Sequence, residues 1–139
     1  MKNNAITFLA LLATVFLFAQ CQKEDDEKNH SVYFWTSKAT PEEQLSLFVD
    51  GAAVGGLPYF STELTCSNDS LKQQALQLNL KSGKYHLKAK DSQGAVRSSG
   101  TIKISENGMG SSGDLGDKGG MAVSSVGSEN SCVIVNLFY

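Results

Sequence analysis

Leu76-Gln77-Leu78-Asn79-Leu80-Lys81-Ser82-Gly83-Lys84-Tyr85-His86-Leu87-Lys88-Ala89-Lys90 is the stretch that decides the fold. Leucines at 76, 78 and 80 alternate with Gln77 and Asn79, and Tyr85, Leu87 and Ala89 alternate with His86, Lys88 and Lys90. Successive side chains of a strand point to opposite faces, so a period of two sets one apolar row against a core and one polar row in water. Lys81-Ser82-Gly83-Lys84 supplies the turn between the two runs, which therefore read as consecutive half-buried strands.

The same period recurs on either side. Leu45, Leu47 and Val49 alternate with Ser46, Phe48 and Asp50, and Asp50-Gly51 is a hairpin turn signal. A short strand from Ala52 to Leu57 should follow and stop at Pro58, which cannot donate to a ladder. Ile102 and Ile104 flank Lys103, Val32 to Trp35 is rich in β-formers, and Cys132 to Tyr139 reads as a closing strand. Ser70 to Leu80 has residues that also favour a helix; the expectation is coil to about Gln74 and strand after it. Strands of this kind, each with one apolar face, predict an all-β domain, a single small antiparallel β-sandwich of about six or seven strands.

The composition agrees with one domain of this size. The chain has 139 residues, of which 41% are apolar and 19% charged, which is too apolar for a disordered chain. Twelve basic residues against fourteen acidic ones leave a net charge of −2, so no electrostatic footprint for nucleic acid exists.

Val49-Asp50-Gly51, Val54-Gly55-Gly56-Leu57-Pro58 and Leu80-Lys81-Ser82-Gly83-Lys84-Tyr85-His86-Leu87 together resemble the PEGA family of bacterial surface β-domains, with a longer spacer here. The segment is also similar to small carboxypeptidase-regulatory-type sandwiches. Every matching residue is a turn glycine, a strand apolar residue or a turn proline. The resemblance thus implies a fold and no catalytic residue.

The N-terminus reads as an address. Lys2 precedes the apolar run Ala5 to Ala19, short for a membrane span and suited to a signal-peptide core, expected over residues 1–20. Ala19-Gln20-Cys21 resembles the lipobox of bacterial lipoproteins, although Gln20 stands where Gly or Ala is usual and Phe18 where Leu is common. The residues after Cys21 include Lys23, Glu24, Asp25 and Asp26, and resemble the surface-export signal of Bacteroidetes lipoproteins. The resemblance implies lipidation of Cys21 and anchoring in the outer membrane, facing outward at the cell surface. The other reading is an ordinary signal-peptidase site followed by a solvated acidic linker. Residues 21–30 are expected as lipidated cysteine and acidic tether, and residues 31–139 as the sandwich.

With Cys21 given to lipid, Cys66 and Cys132 remain. In an exported protein such a pair forms a disulfide or stays as two free thiols, and the bridge would pin a polar loop to the last strand. Residues 107–131 hold six glycines between Gly108 and Gly120 and few apolar residues, so they read as a flexible loop or as a binding loop that orders on contact. Asp114 and Asp117 lack EF-hand spacing, no further His or Cys is spaced for a metal, and no cofactor is expected.

Candidate binding residues fall in two groups. Tyr33 and Trp35 share one face of their strand while Val32 and Phe34 share the other. They either form a platform for sugar or protein, or are covered by the loop or the tether. His86, Lys88 and Lys90 make a locally basic face that could meet anionic glycan or lipid headgroups, or is simply solvated, with lysines discouraging edge pairing. Asp69-Ser70-Leu71 resembles the O-glycosylation motif of Bacteroidetes, with Ser70 as acceptor. His30 and His86 have no paired nucleophile, and the carboxylates are scattered, so no enzyme activity is expected. The sequence thus predicts a non-catalytic lipoprotein whose sandwich binds or supports a glycan or protein. A structural envelope component and a periplasm-facing inhibitor are the alternatives.

Overall fold

The computed structural model describes residues 29–37, 43–105, 108–112, 119–126 and 132–139. Among them the chain order is β1 (His30–Trp35), β2 (Leu45–Val49), β3 (Ala52–Leu57), α1 (Asp69–Lys72), β4 (Leu76–Leu80), β5 (Gly83–Lys90), β6 (Val96–Ser105), β7 (Gly108–Ser112), β8 (Gly120–Val126) and β9 (Cys132–Phe138). One sheet has the order β4-β1-β9-β8 and the other β3-β2-β5-β6-β7. The protein is an all-β sandwich, as the alternation predicts.

The inner rows are those read from the sequence. Leu45 and Leu47, Leu87 and Ala89, and Ile102 and Ile104 from one sheet meet Val32 and Phe34, and Val133, Val135 and Leu137 from the other, all buried in one cluster. Leu76, Leu78 and Leu80 pack at its margin. Asp50 and Gly51 sit at φ 49° and 87°, the left-handed pair that a two-residue hairpin turn requires. Gly100, inside β6, leaves room for a neighbour: a Cβ there would meet Met121 Cε at 2.7 Å. Met121 of β8 thereby reaches the core across the two sheets.

Five expectations need correction. The described residues contain nine strands rather than six or seven. The pair β1 and β9 is parallel, with Val32 opposite Val133, because the rest of the domain serves as the crossover between them. Gly108–Ser112 and Gly120–Val126 are strands within the segment expected as a flexible loop; the rest of 107–131 lies outside the described residues. Backbone ladders are blind to composition, so Gly108–Ser112 pairs residue by residue with β6, while Met121 and Val123 of β8 pack against the core. Asp69 to Lys72 forms one helical turn rather than coil, capped by Asn68, whose side chain accepts from Leu71 N–H at 3.1 Å. Finally, His30, assigned to the tether, opens β1 opposite Leu80 and is buried with no hydrogen-bond partner on either ring nitrogen.

A polar network closes one end of the sandwich. Asp91 Oδ1 accepts from Gln93 and Ala95 N–H at 3.0 and 2.8 Å, fixing the β5–β6 turn, where Gly94 has φ 82°. Its other oxygen accepts from Arg97 Nε at 2.8 Å, and Arg97 Nη2 donates to Glu43 at 2.8 Å. Tyr139 Oη donates to the second Glu43 oxygen at 2.5 Å. Burial pushes the Asp91 pKa up, but the hydrogen bonds from Ala95, Arg97 and Gln93 together outweigh it and hold the carboxyl below its usual range. The bond to Glu43, with burial, raises the Tyr139 pKa.

Candidate functional site

The outer face of the four-stranded sheet is half covered. After β3 the chain crosses from one sheet to the other and lies over β1 and β9. Thr36 N–H donates to Pro58 C=O at 2.9 Å and Phe60 N–H donates to Thr36 C=O at 3.1 Å, which fastens the crossover to the end of β1. Beneath it Trp35, Leu64 and Ile134 form a second buried cluster, with Phe60 stacked on Trp35 at a centroid distance of 6.0 Å. The sulfur atoms of Cys66 and Cys132 lie at bonding distance with their Cα atoms 6.0 Å apart, so the crossover is tied to β9 as well.

Trp35 is therefore not an exposed platform; only 3% of it meets solvent. Tyr33, on the same strand face, is half-buried, with Lys72 Nζ 6.0 Å from its ring centre. The sequence offered a platform or a cover by the loop or the tether; Trp35 is covered, and the cover is the β3–β4 crossover, which carries Phe60 and Leu64.

The cover stops short of β8, and a groove of about 200 Å³ opens there. Its lining comes from β1 (Trp35), the crossover (Glu63 and Leu64), β8 (Ala122, Val123 and Ser124) and β9 (Ile134 and Asn136). The volume lies below the roughly 300–1,000 Å³ of sites for drug-sized molecules, so it suits one ring-sized group. Asn136 is already engaged: its Oδ1 accepts from Ser37 N–H at 3.1 Å and its Nδ2 donates to Ser37 Oγ at 3.0 Å. Glu63 and Ser124 are exposed, and their side chains make no hydrogen bond or ion pair with another described residue. Trp35 Nε1 is buried without an acceptor. An orphan indole N–H carries a desolvation cost of about 1–3 kcal/mol, and a water or a ligand oxygen in the groove is what could relieve it.

No protein-family model, no curated protein and no solved structure matches this chain.

The remaining sequence candidates lie elsewhere. His86 and Lys88 are exposed on the outer face of the five-stranded sheet, opposite to the groove. The His86 ring nitrogen Nδ1 is 3.0 Å from Thr101 Oγ1, and Lys90 is half-buried with its ammonium 4.2 Å above the Phe48 ring. Ser70 is exposed on α1, where its carbonyl accepts from Gln74 Nε2 at 3.1 Å. Cys21, Lys23, Glu24, Asp25 and Asp26 lie outside the described residues. Sequence reading did not single out Glu63, Ala122, Ser124 or Asn136. The last three sit in strands whose apolar partners drew attention inward, and Glu63 stands in an aperiodic crossover.

Proposed function

We propose that the chain is a non-catalytic, lipid-anchored module of the outer membrane that faces outward and holds a terminal sugar of a glycan in the groove beside Trp35. The observation that carries this reading is the chemistry of the groove. Its floor is apolar, from Trp35, Leu64 and Ile134, and its free polar groups are the Glu63 carboxylate, which accepts, the Ser124 hydroxyl, which donates and accepts, and the Trp35 indole N–H, which donates. A sugar ring has the matching character, with C–H groups on its faces and hydroxyl donors at its edge. The Glu63 carboxylate can accept from two adjacent hydroxyls, and the negative charge disfavours anionic glycans. Lipid attachment rests on the Ala5 to Ala19 run and Cys21, and outward display on Lys23 to Asp26.

A glycan array is the direct test, run with wild type and with Ala122→Trp, which fills the groove from its exposed wall. Binding of neutral glycans by wild type and its loss in the variant are expected. An array on which both bind alike would move the site off the groove, and an empty array would favour the structural envelope component. Protease treatment of intact cells tests the location. Digestion of wild type and protection of a variant with Lys23, Glu24 and Asp25 changed to Ala is the expected pair of results.

A further inference from the structure

The other outer face, on the five-stranded sheet, carries charge that the fold does not use. On β5 the outward row is Lys84, His86 and Lys88, and on β6 it includes Lys103 and Thr101. Lys84 and Lys103 stand directly opposite one another in the ladder. Like charges at that position repel and weaken the pair. Lys84, Lys88 and Lys103 are exposed and make no ion pair with any described residue. Lysines on a strand often serve to discourage edge-to-edge pairing. That account fails here, because β5 lies between β2 and β6, and β6 lies between β5 and β7. Neither strand is an edge.

The topology puts this charge where the chain enters the domain. His30 pairs with Leu80, and the short turn after Leu80 leads into Gly83 and Lys84, so β1 begins at the end of the sandwich that carries Lys84 and Lys103. Eight residues lie between Cys21 and His30, and the nine steps from one to the other span at most about 30 Å when extended. A membrane that held the N-terminal segment would lie within that reach.

We propose that Lys84, Lys88 and Lys103 rest on the phosphate headgroups of an anionic lipid surface. The proposal builds on the membrane attachment argued above and adds an orientation to it. A flat sheet face bearing ammonium groups has no fork to grip a single phosphate in two places, so it suits a diffuse layer of them. With this face down, the groove on the opposite sheet points away from the membrane, open to a glycan.

The test uses the full chain mixed with vesicles of phosphatidylcholine alone and of phosphatidylcholine with phosphatidylglycerol. Two readouts are taken: flotation with the vesicles, and the rate at which each lysine is acetylated. Flotation with the neutral vesicles reports the anchor. Slower acetylation of Lys84, Lys88 and Lys103 on the anionic vesicles, reversed in concentrated salt, reports the face. Lys72, on α1 beside Tyr33 of the opposite sheet, should react equally on both. About fivefold weaker association per lysine is expected, so Lys84→Ser with Lys103→Ser should release most of the protection at Lys88. Equal acetylation of Lys84, Lys88 and Lys103 on the two vesicle types would overturn the proposal, as would protection by a soluble polyanion and not by vesicles. A chain that floats only with anionic vesicles would sink the anchor and keep the face.

Discussion

The two outer faces of this sandwich are made by the same strand grammar and end in opposite states. On the four-stranded sheet, Trp35 and Ile134 point away from the inter-sheet core and are nonetheless buried, because the crossover from β3 to β4 lies on them. On the five-stranded sheet, His86 and Lys88 point outward and are exposed, with no cover among the described residues. The difference is written in the strands themselves. After His30 and Ser31, β1 runs Val-Tyr-Phe-Trp with no polar residue between apolar ones, as a segment covered on both faces must, whereas β5 alternates cleanly. An apolar run without alternation in a small β protein therefore announces a cover, and the cover here leaves the groove at its border.

Breaking the cover should cost most. Replacing Cys66 and Cys132 with Ala should lower stability by about 4 kcal/mol if the sulfurs are joined, given the 66-residue separation. Chemical denaturation with and without reductant measures it, and equal midpoints would mean free thiols. Trp35→Ala should cost about 3 kcal/mol, since a large buried side chain is removed next to a groove that lets water relax the void. A melting curve that stays in place would return Trp35 to the surface.

The network at the far end sharpens the contrast between used and unused charge. The folded Asp91 carboxyl holds its proton less tightly than in the unfolded chain. Its contribution is therefore complete above the ordinary carboxylate range and is lost as pH falls below about 4. Asp91→Asn should flatten the acid limb of the stability profile; an unchanged limb would mean that other carboxylates set it. Lys88→Ala, on the uncovered face, should change stability by less than about 0.5 kcal/mol, and a larger loss would show that the lysine row supports the fold.

The inner rows, the Asp50-Gly51 turn and the proximity of Cys66 to the last strand were all legible, because period two and turn chemistry are local signals. β7 and β8 were not, since a stretch such as Gly108–Ser112 carries no alternating apolar row in its sequence and is recognised only by its ladder with β6. The groove was half legible. Trp35 stood out, but its walls come from four separate segments that only the topology brings together. Of the basic row, His86 and Lys88 are exposed and Lys90 is half-buried over Phe48, yet the row's meaning depends on β5 and β6 being interior strands, and strand order is not a local property.

Trp35 is the only tryptophan of the chain, so its fluorescence tests the central claim without a label. The account predicts blue-shifted emission that acrylamide quenches poorly, and a further shift when a glycan identified on the array is added. Emission at the wavelength of free indole with full quenching would contradict it, since no covered tryptophan would then border a groove.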